Sequence, residues 1–272
     1  MPSHRTAFPG SAFWTVVRLS AREFTAYPSD VLLEFFTYPV AFLGYYFFLQ
    51  AIAGVNPLPP DLPLQRLALY YSLGWLLRMI FHQRTDVGMG SLIAQGDIAL
   101  LLLRPLDISR WMLAQALGQA AARALFYAGP GIIVLALFGG GLGDYLPANP
   151  LVFCLAAATG FLILFELQMF IGALSFFTTL NFQMSWTLDM LMRLLAGLVV
   201  PLSLLPEALQ SALAWLPFPH VFSIPIRSWI EPQPLVFWAP VLLQGGVWAA
   251  LLHLLNRRFY GFALKRLDIC GG

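Results

Sequence analysis

Charge is what this chain has least of. Lysine, arginine, aspartate and glutamate make up 10% of its 272 residues, against roughly 25% in a soluble domain. A soluble globule of this composition would lack the polar surface to cover itself. Lysine occurs once, as Lys265 between Leu264 and Arg266. That excludes a phosphate-binding loop of the form G-x-x-x-x-G-K-[ST], whose lysine reaches the phosphates. The two cysteines, Cys154 and Cys270, give no disulfide framework. No H-E-x-x-H is present, and His220 has no second histidine at ligand spacing, so neither a metal site nor a cofactor is expected. A serine nucleophile in a G-x-S-G setting is also missing. The formal net charge of +2 gives no reason to expect a nucleic-acid partner.

What is present instead is apolar length. Hydrophobic residues make up 59% of the chain. They gather in six runs, 31–54, 64–81, 113–138, 151–177, 184–205 and 235–255, each near the roughly 20 residues that cross a bilayer. Lipid cannot satisfy open backbone groups, so every run is expected to be a helix. The expected fold is all-α: a polytopic membrane protein with six transmembrane helices in a single domain covering 1–272. Arg5, Arg18, Arg22, Arg84, Arg104, Arg110, Arg257, Arg258, Lys265 and Arg266 fall on one side of this weave, and only Arg66 and Arg227 on the other. Positive residues stay inside, which places both termini in the cytoplasm. The Ala51-Ile52-Ala53 pattern after the first run is read as part of a span and not as a signal cleavage site, because that run is about twice a signal core of 7 to 15 residues.

Three segments depart from a simple bundle. Within 11–27, Phe13, Val16, Val17, Ser20, Phe24 and Tyr27 recur at helical spacing with Arg18, Arg22 and Glu23 opposite, which reads as a helix lying on the cytoplasmic leaflet. The link 84–106 between the second and third spans keeps its own apolar pattern, and a short amphipathic helix ending before Pro105 is expected there. Such a helix is either a handle for a soluble partner or an anchor for the loop. The outer segment 206–233 is rich in leucine and phenylalanine yet broken by Pro217, Pro219, Pro225 and Pro232. Each piece is too short to cross, so a re-entrant hairpin is expected, with Trp215, Pro217, Phe218 and Pro219 as an outer gate.

The stretch 93–106, Ile93-Ala94-Gln95-Gly96-Asp97-Ile98-Ala99 followed by Leu100 to Leu103 and Arg104-Pro105-Leu106, resembles the loop of bacterial ABC transporter permeases of the type-2 exporter superfamily. More narrowly, it is similar to a six-span group of about this length. The order of elements agrees along nearly the whole chain. The resemblance implies a permease subunit of an ATP-driven exporter in the bacterial inner membrane, paired with a second, identical or homologous permease and with cytoplasmic ABC ATPase subunits. It also implies that Gln95, Gly96, Asp97 and Arg104 are the positions coupled to the ATPase. The substrate is not indicated; an apolar path suits lipids, lipid-linked molecules or hydrophobic drugs and peptides.

Ionisable groups within spans are expensive and face protein or water. Arg123, Glu166, Asp189 and Arg193 qualify by position. Asp189 and Arg193 stand four apart on one helix face. Glu166 and Arg193 both lie roughly 15 Å from the cytoplasmic ends of their spans at 1.5 Å per residue, and they are expected to pair. A neutral structural cluster is weighed above a polar path or a proton relay. Glu34, Arg78 and His82 are read as snorkelling span ends, and His253 as an ordinary residue of the sixth span. Two rival classes are a scaffold without transport and an intramembrane enzyme. The latter rests on Gly141-Leu142-Gly143-Asp144, where the second carboxylate that such a protease needs is missing.

Overall fold

A computed structural model describes residues 9–26, 28–55, 63–102, 107–138, 147–178 and 181–264. Arg5, Arg104 to Leu106, the turn around Asp144, Lys265 and Arg266 lie outside them. Eleven helices follow one another among the described residues. They are α1 (Pro9–Thr25), α2 (Pro28–Val55), α3 (Leu64–Ile80), α4 (Thr85–Ala94), α5 (Ile98–Leu102), α6 (Ile108–Phe138), α7 (Pro150–Leu174), α8 (Asn181–Leu195), α9 (Glu207–Ala214), α10 (Ser223–Ile230) and α11 (Leu235–Ala263). Short 3-10 turns at Leu202–Leu204 and Phe218–His220 flank α9. Among the described residues, α7 and α11 are long and apolar enough by themselves to cross a membrane.

At the centre stands α7, which packs against α11, α4, α10 and α8. Small residues let these neighbours approach. A Cβ on Gly160 would lie 2.4 Å from the His220 carbonyl oxygen, and one on Gly172 would lie 2.9 Å from Met89 Cβ. Glycine therefore sets two of the closest backbone approaches in the core.

The apolar face read in 11–27 is occupied by protein. It packs on α6, where a Cβ on Gly118 would meet the Val17 carbonyl oxygen and Phe24 lies edge-on to Phe126 at 6.3 Å. The side exposed along α1 carries Trp14, Arg18, Leu19 and Arg22.

The fifth apolar run is not one helix. Helix α8 ends at Leu195 in a Schellman motif: the Gly197 N–H donates to the Leu194 carbonyl at 3.3 Å and the Leu198 N–H to that of Arg193 at 3.1 Å. Gly197 supplies the φ of +79° that this closure needs. The 15 residues of α8 span about 22 Å, short of the roughly 30 Å of hydrocarbon. Beyond the break, the Tyr70 hydroxyl donates to the Gly197 carbonyl at 2.7 Å and the Tyr71 hydroxyl to that of Val199 at 2.8 Å. Carbonyls released by the unwinding are thereby satisfied within the protein.

The chain then loops through α9 and turns inward. The Ser223 N–H donates to the Ala196 carbonyl, and Phe222 stacks on Phe81 with ring centroids 6.1 Å apart. From there α10 climbs along α3 and α7 until the Trp229 carbonyl accepts from the Ala148 N–H at 2.9 Å, just before α7 begins.

Candidate functional site

The link between α3 and α6 forms two helices where one was expected. Gly96, with φ +79°, ends α4 and starts a turn that α5 leaves two residues later. A residue with a Cβ resists that conformation, which is why the apolar pattern breaks at this point. Gln95, Gly96 and Asp97 are all exposed at the tip, and nothing lies within 4 Å of where a Gly96 Cβ would stand. Ile98 and Leu101 of α5 turn inward and are buried.

Behind the tip, α4 is clamped. Met89 is fully buried against Gly172 of α7 and receives the Tyr260 hydroxyl from α11. Asn181, opening α8, donates to the Asp86 carbonyl at 3.2 Å and fills the space that a Gly90 side chain would need. Three long helices thus hold one short one, whose far end reaches solvent at Gly96. Arg84, just before α4, adopts a left-handed conformation with φ +50°, at a cost of about 1 kcal/mol for a non-glycine residue.

The charges of the spans divide into separate groups. Asp189 bridges two arginines: Arg78 Nη1 of α3 lies 2.8 Å from Oδ1, and Arg193 Nη2 lies 2.6 Å from Oδ2. The expected pairing of Glu166 with Arg193 is not formed. Glu166 turns the other way, toward α11, where its Oε1 lies 2.8 Å from His253 Nδ1 and its Oε2 accepts from Asn256 Nδ2 at 2.6 Å. Counting residues along a span does not give direction around it, and on α7 residues two apart point to opposite faces. Arg123 of α6 places its guanidinium 5.2 Å above the Phe24 ring and its charge acts on His82.

Leu164 and Gln168 of α7 face α8 instead, and with Arg78, His82, Arg84, Asp86, Asp189 and Arg193 they line a cleft of about 140 Å³. Phe222 and Phe81, stacked on each other, add an aromatic wall, with Phe161 edge-on behind Phe81. Of the outer residues singled out by sequence, Pro217 and Pro219 are buried and Phe218 half-buried, while Trp215 is 79% exposed. Trp215 offers its carbonyl to Trp248 Nε1 at 3.2 Å. Sequence reasoning passed over Phe81, Phe222, Asn256 and Tyr260. Asn256 is the one that gave a signal: a polar amide three residues after His253, at helical spacing just past the end of the run 235–255. Among the described residues no group of three His, Cys, Asp and Glu could hold a metal ion.

The family model for the ABC-2 family transporter protein matches residues 35–271. The chain belongs to the ABC-2 transporter family. No curated protein matches it in a sequence comparison. Membership of this family makes it a membrane protein of a transporter and implies association with ABC ATPase partners. The match runs through the α4–α5 turn and the charged cleft, so both belong to the family's own region of the chain.

Proposed function

We propose that this ABC-2 protein is the permease subunit of an ATP-driven exporter, forming the pathway with a second permease subunit and driven by cytoplasmic ATPases that dock on Gln95, Gly96 and Asp97. Arg104, outside the described residues, is proposed as a further docking position. The observation that carries this reading is the clamped, exposed lever: a solvent-facing tip at Gly96 on a helix whose other end is locked to α7, α8 and α11 through Met89 and Asn181. A push on the tip has nowhere to go but into those three helices, since a close-packed seam transmits displacement.

In this reading α2, α3, α6, α7, α8 with its unwound extension, and α11 are the six spans, in the bacterial inner membrane with both termini cytoplasmic. The segment from Pro206 to Pro234 is a re-entrant hairpin. Gly160, against which the hairpin packs, is ten residues into α7, about 15 Å below its outer end. The stack of Phe222 on Phe81 is the constriction, with Trp215, Pro217, Phe218 and Pro219 as the outer rim. Arg123, Glu166, Asp189 and Arg193 hold the bundle together, Asp189 and Arg193 also bordering the inner vestibule.

The test is co-purification of an ATPase with the full chain, followed by its stimulated activity in vesicles. Asp97→Lys is expected to lose the ATPase; retention at wild-type level would defeat the docking assignment. A scaffold would keep the ATPase yet show no substrate-dependent turnover.

A further inference from the structure

The cleft between α3, α4, α7 and α8 carries a charge balance that the coupling role does not require. Three arginines, Arg78, Arg84 and Arg193, line it against two aspartates, Asp86 and Asp189. Both acids are already engaged. Asp189 accepts from Arg78 and Arg193 through its two oxygens, and Asp86 Oδ1 accepts from the Val87 N–H at 2.9 Å. His82 adds no charge near neutrality, because burial, followed by Arg123, Arg78 and Arg84, pushes its pKa down to about 4 against the pull of Asp189. One positive charge is therefore left over.

Two donors on the α8 wall are unmet. The Ser185 hydroxyl, on a residue only 4% exposed, and Arg193 Nε are both shielded from solvent and have no hydrogen-bond partner. Ser185, Asp189 and Arg193 stand four apart on one face of α8, so both donors belong to the same wall of the cleft. A buried donor left unsatisfied costs roughly 1–3 kcal/mol; an anionic group with several acceptor oxygens supplies partners for such donors and balances the excess charge. Leu164, Met192 and Phe222 add apolar side chains to the same lining. Charged and apolar groups side by side in one cleft suit an amphiphile.

We propose that this cleft binds a phosphate group, either the headgroup of an inner-leaflet phospholipid-like amphiphile or a free phosphate ester, through Ser185, Arg193 and Arg84. The assignment rests on the exporter reading only in placing the cleft on the cytoplasmic side.

Trp186, on the rim and 57% exposed, reports occupancy. The full chain in phosphatidylcholine nanodiscs is titrated with phosphatidylglycerol bearing brominated acyl chains, and Trp186 quenching is taken as the difference from Trp186→Phe. Quenching stronger than that by brominated phosphatidylcholine is expected, and Ser185→Ala and Arg193→Gln should each weaken it about tenfold. In a second arm inorganic phosphate is added without brominated lipid. A response there assigns the site to free phosphate, and selective quenching without it assigns the site to lipid; either supports the proposal. Equal quenching by both lipids with no phosphate response overturns it, as does selective quenching or a phosphate response unchanged in Ser185→Ala. No ATPase is present, so loss of ATPase docking, which would defeat the exporter reading, leaves this measurement untouched.

Discussion

Asn256 meets Glu166 twice: its side-chain amide donates to the Glu166 backbone carbonyl at 2.8 Å and to the carboxylate at 2.6 Å. The pair joins α11 to α7, with both residues buried. The exposed His253 ring completes the carboxylate's partners. A carboxylate held this way is a structural joint between the two helices that satisfy span criteria on their own.

Asn256→Leu should lower stability by roughly 1–3 kcal/mol, since it strands a buried carboxylate oxygen. Asn256→Asp should be worse at neutral pH and recover partly in acid, because two carboxyl groups at this distance share a proton. Thermal unfolding of the purified chain at two pH values distinguishes the variants; an Asp variant as stable as wild type above neutrality would contradict the joint.

Asp189 should couple more strongly to Arg78 than to Arg193. The Arg78 side chain is 17% exposed and joins separate helices, whereas the Arg193 contact is a local i, i+4 pair at 33% exposure. Double-mutant cycles should give about 1 kcal/mol or more for the first and about 0.5 kcal/mol for the second. The reverse order would place the weight of the bridge within α8.

Acid should loosen the end of α3 through His82. Its pKa is pushed from 6.5 down to about 4, by burial first and then by the cationic Arg123, Arg78 and Arg84. The folded state therefore binds fewer protons than the unfolded one between those values. Its contribution is fully present above the unfolded pKa and is lost as pH falls through this window, by at most roughly 3 kcal/mol. His82→Gln should flatten that part of the melting temperature against pH curve, and an unchanged slope would assign it elsewhere.

Gly172→Ala should uncouple without undocking. Its new Cβ would lie 2.9 Å from Met89 Cβ, forcing α4 off α7, while the tip at Gly96 stays exposed. ATPase co-purification should persist with stimulated turnover reduced several-fold. Equal loss of both would mean that the seam serves only to hold α4 in place.

The helical class and the positions of most apolar runs were legible because hydrocarbon leaves the backbone one economical solution over such lengths. Gly197 was not legible as a break, since a glycine in an apolar run reads the same whether it packs against a helix or ends one. Gly96 stood out beside Asp97, yet two helices meeting there required the backbone to be seen. Charge pairing failed for a different reason. Counting residues gives height along a helix, but the neighbour that each side faces depends on tertiary packing, and α7 turns Glu166 to α11 while showing Gln168 to the cleft.

Tyr70 and Tyr71 lock the broken end of α8. Their phenol groups occupy oxygens that a longer α8 would have spent on its own next turn, so the kinked stretch is stitched to its neighbour and cannot rewind without cutting two threads. Phenylalanine at both places would keep the rings, remove the donating hydroxyls and leave those oxygens thirsty in oil, inviting moisture to creep down beside the seam.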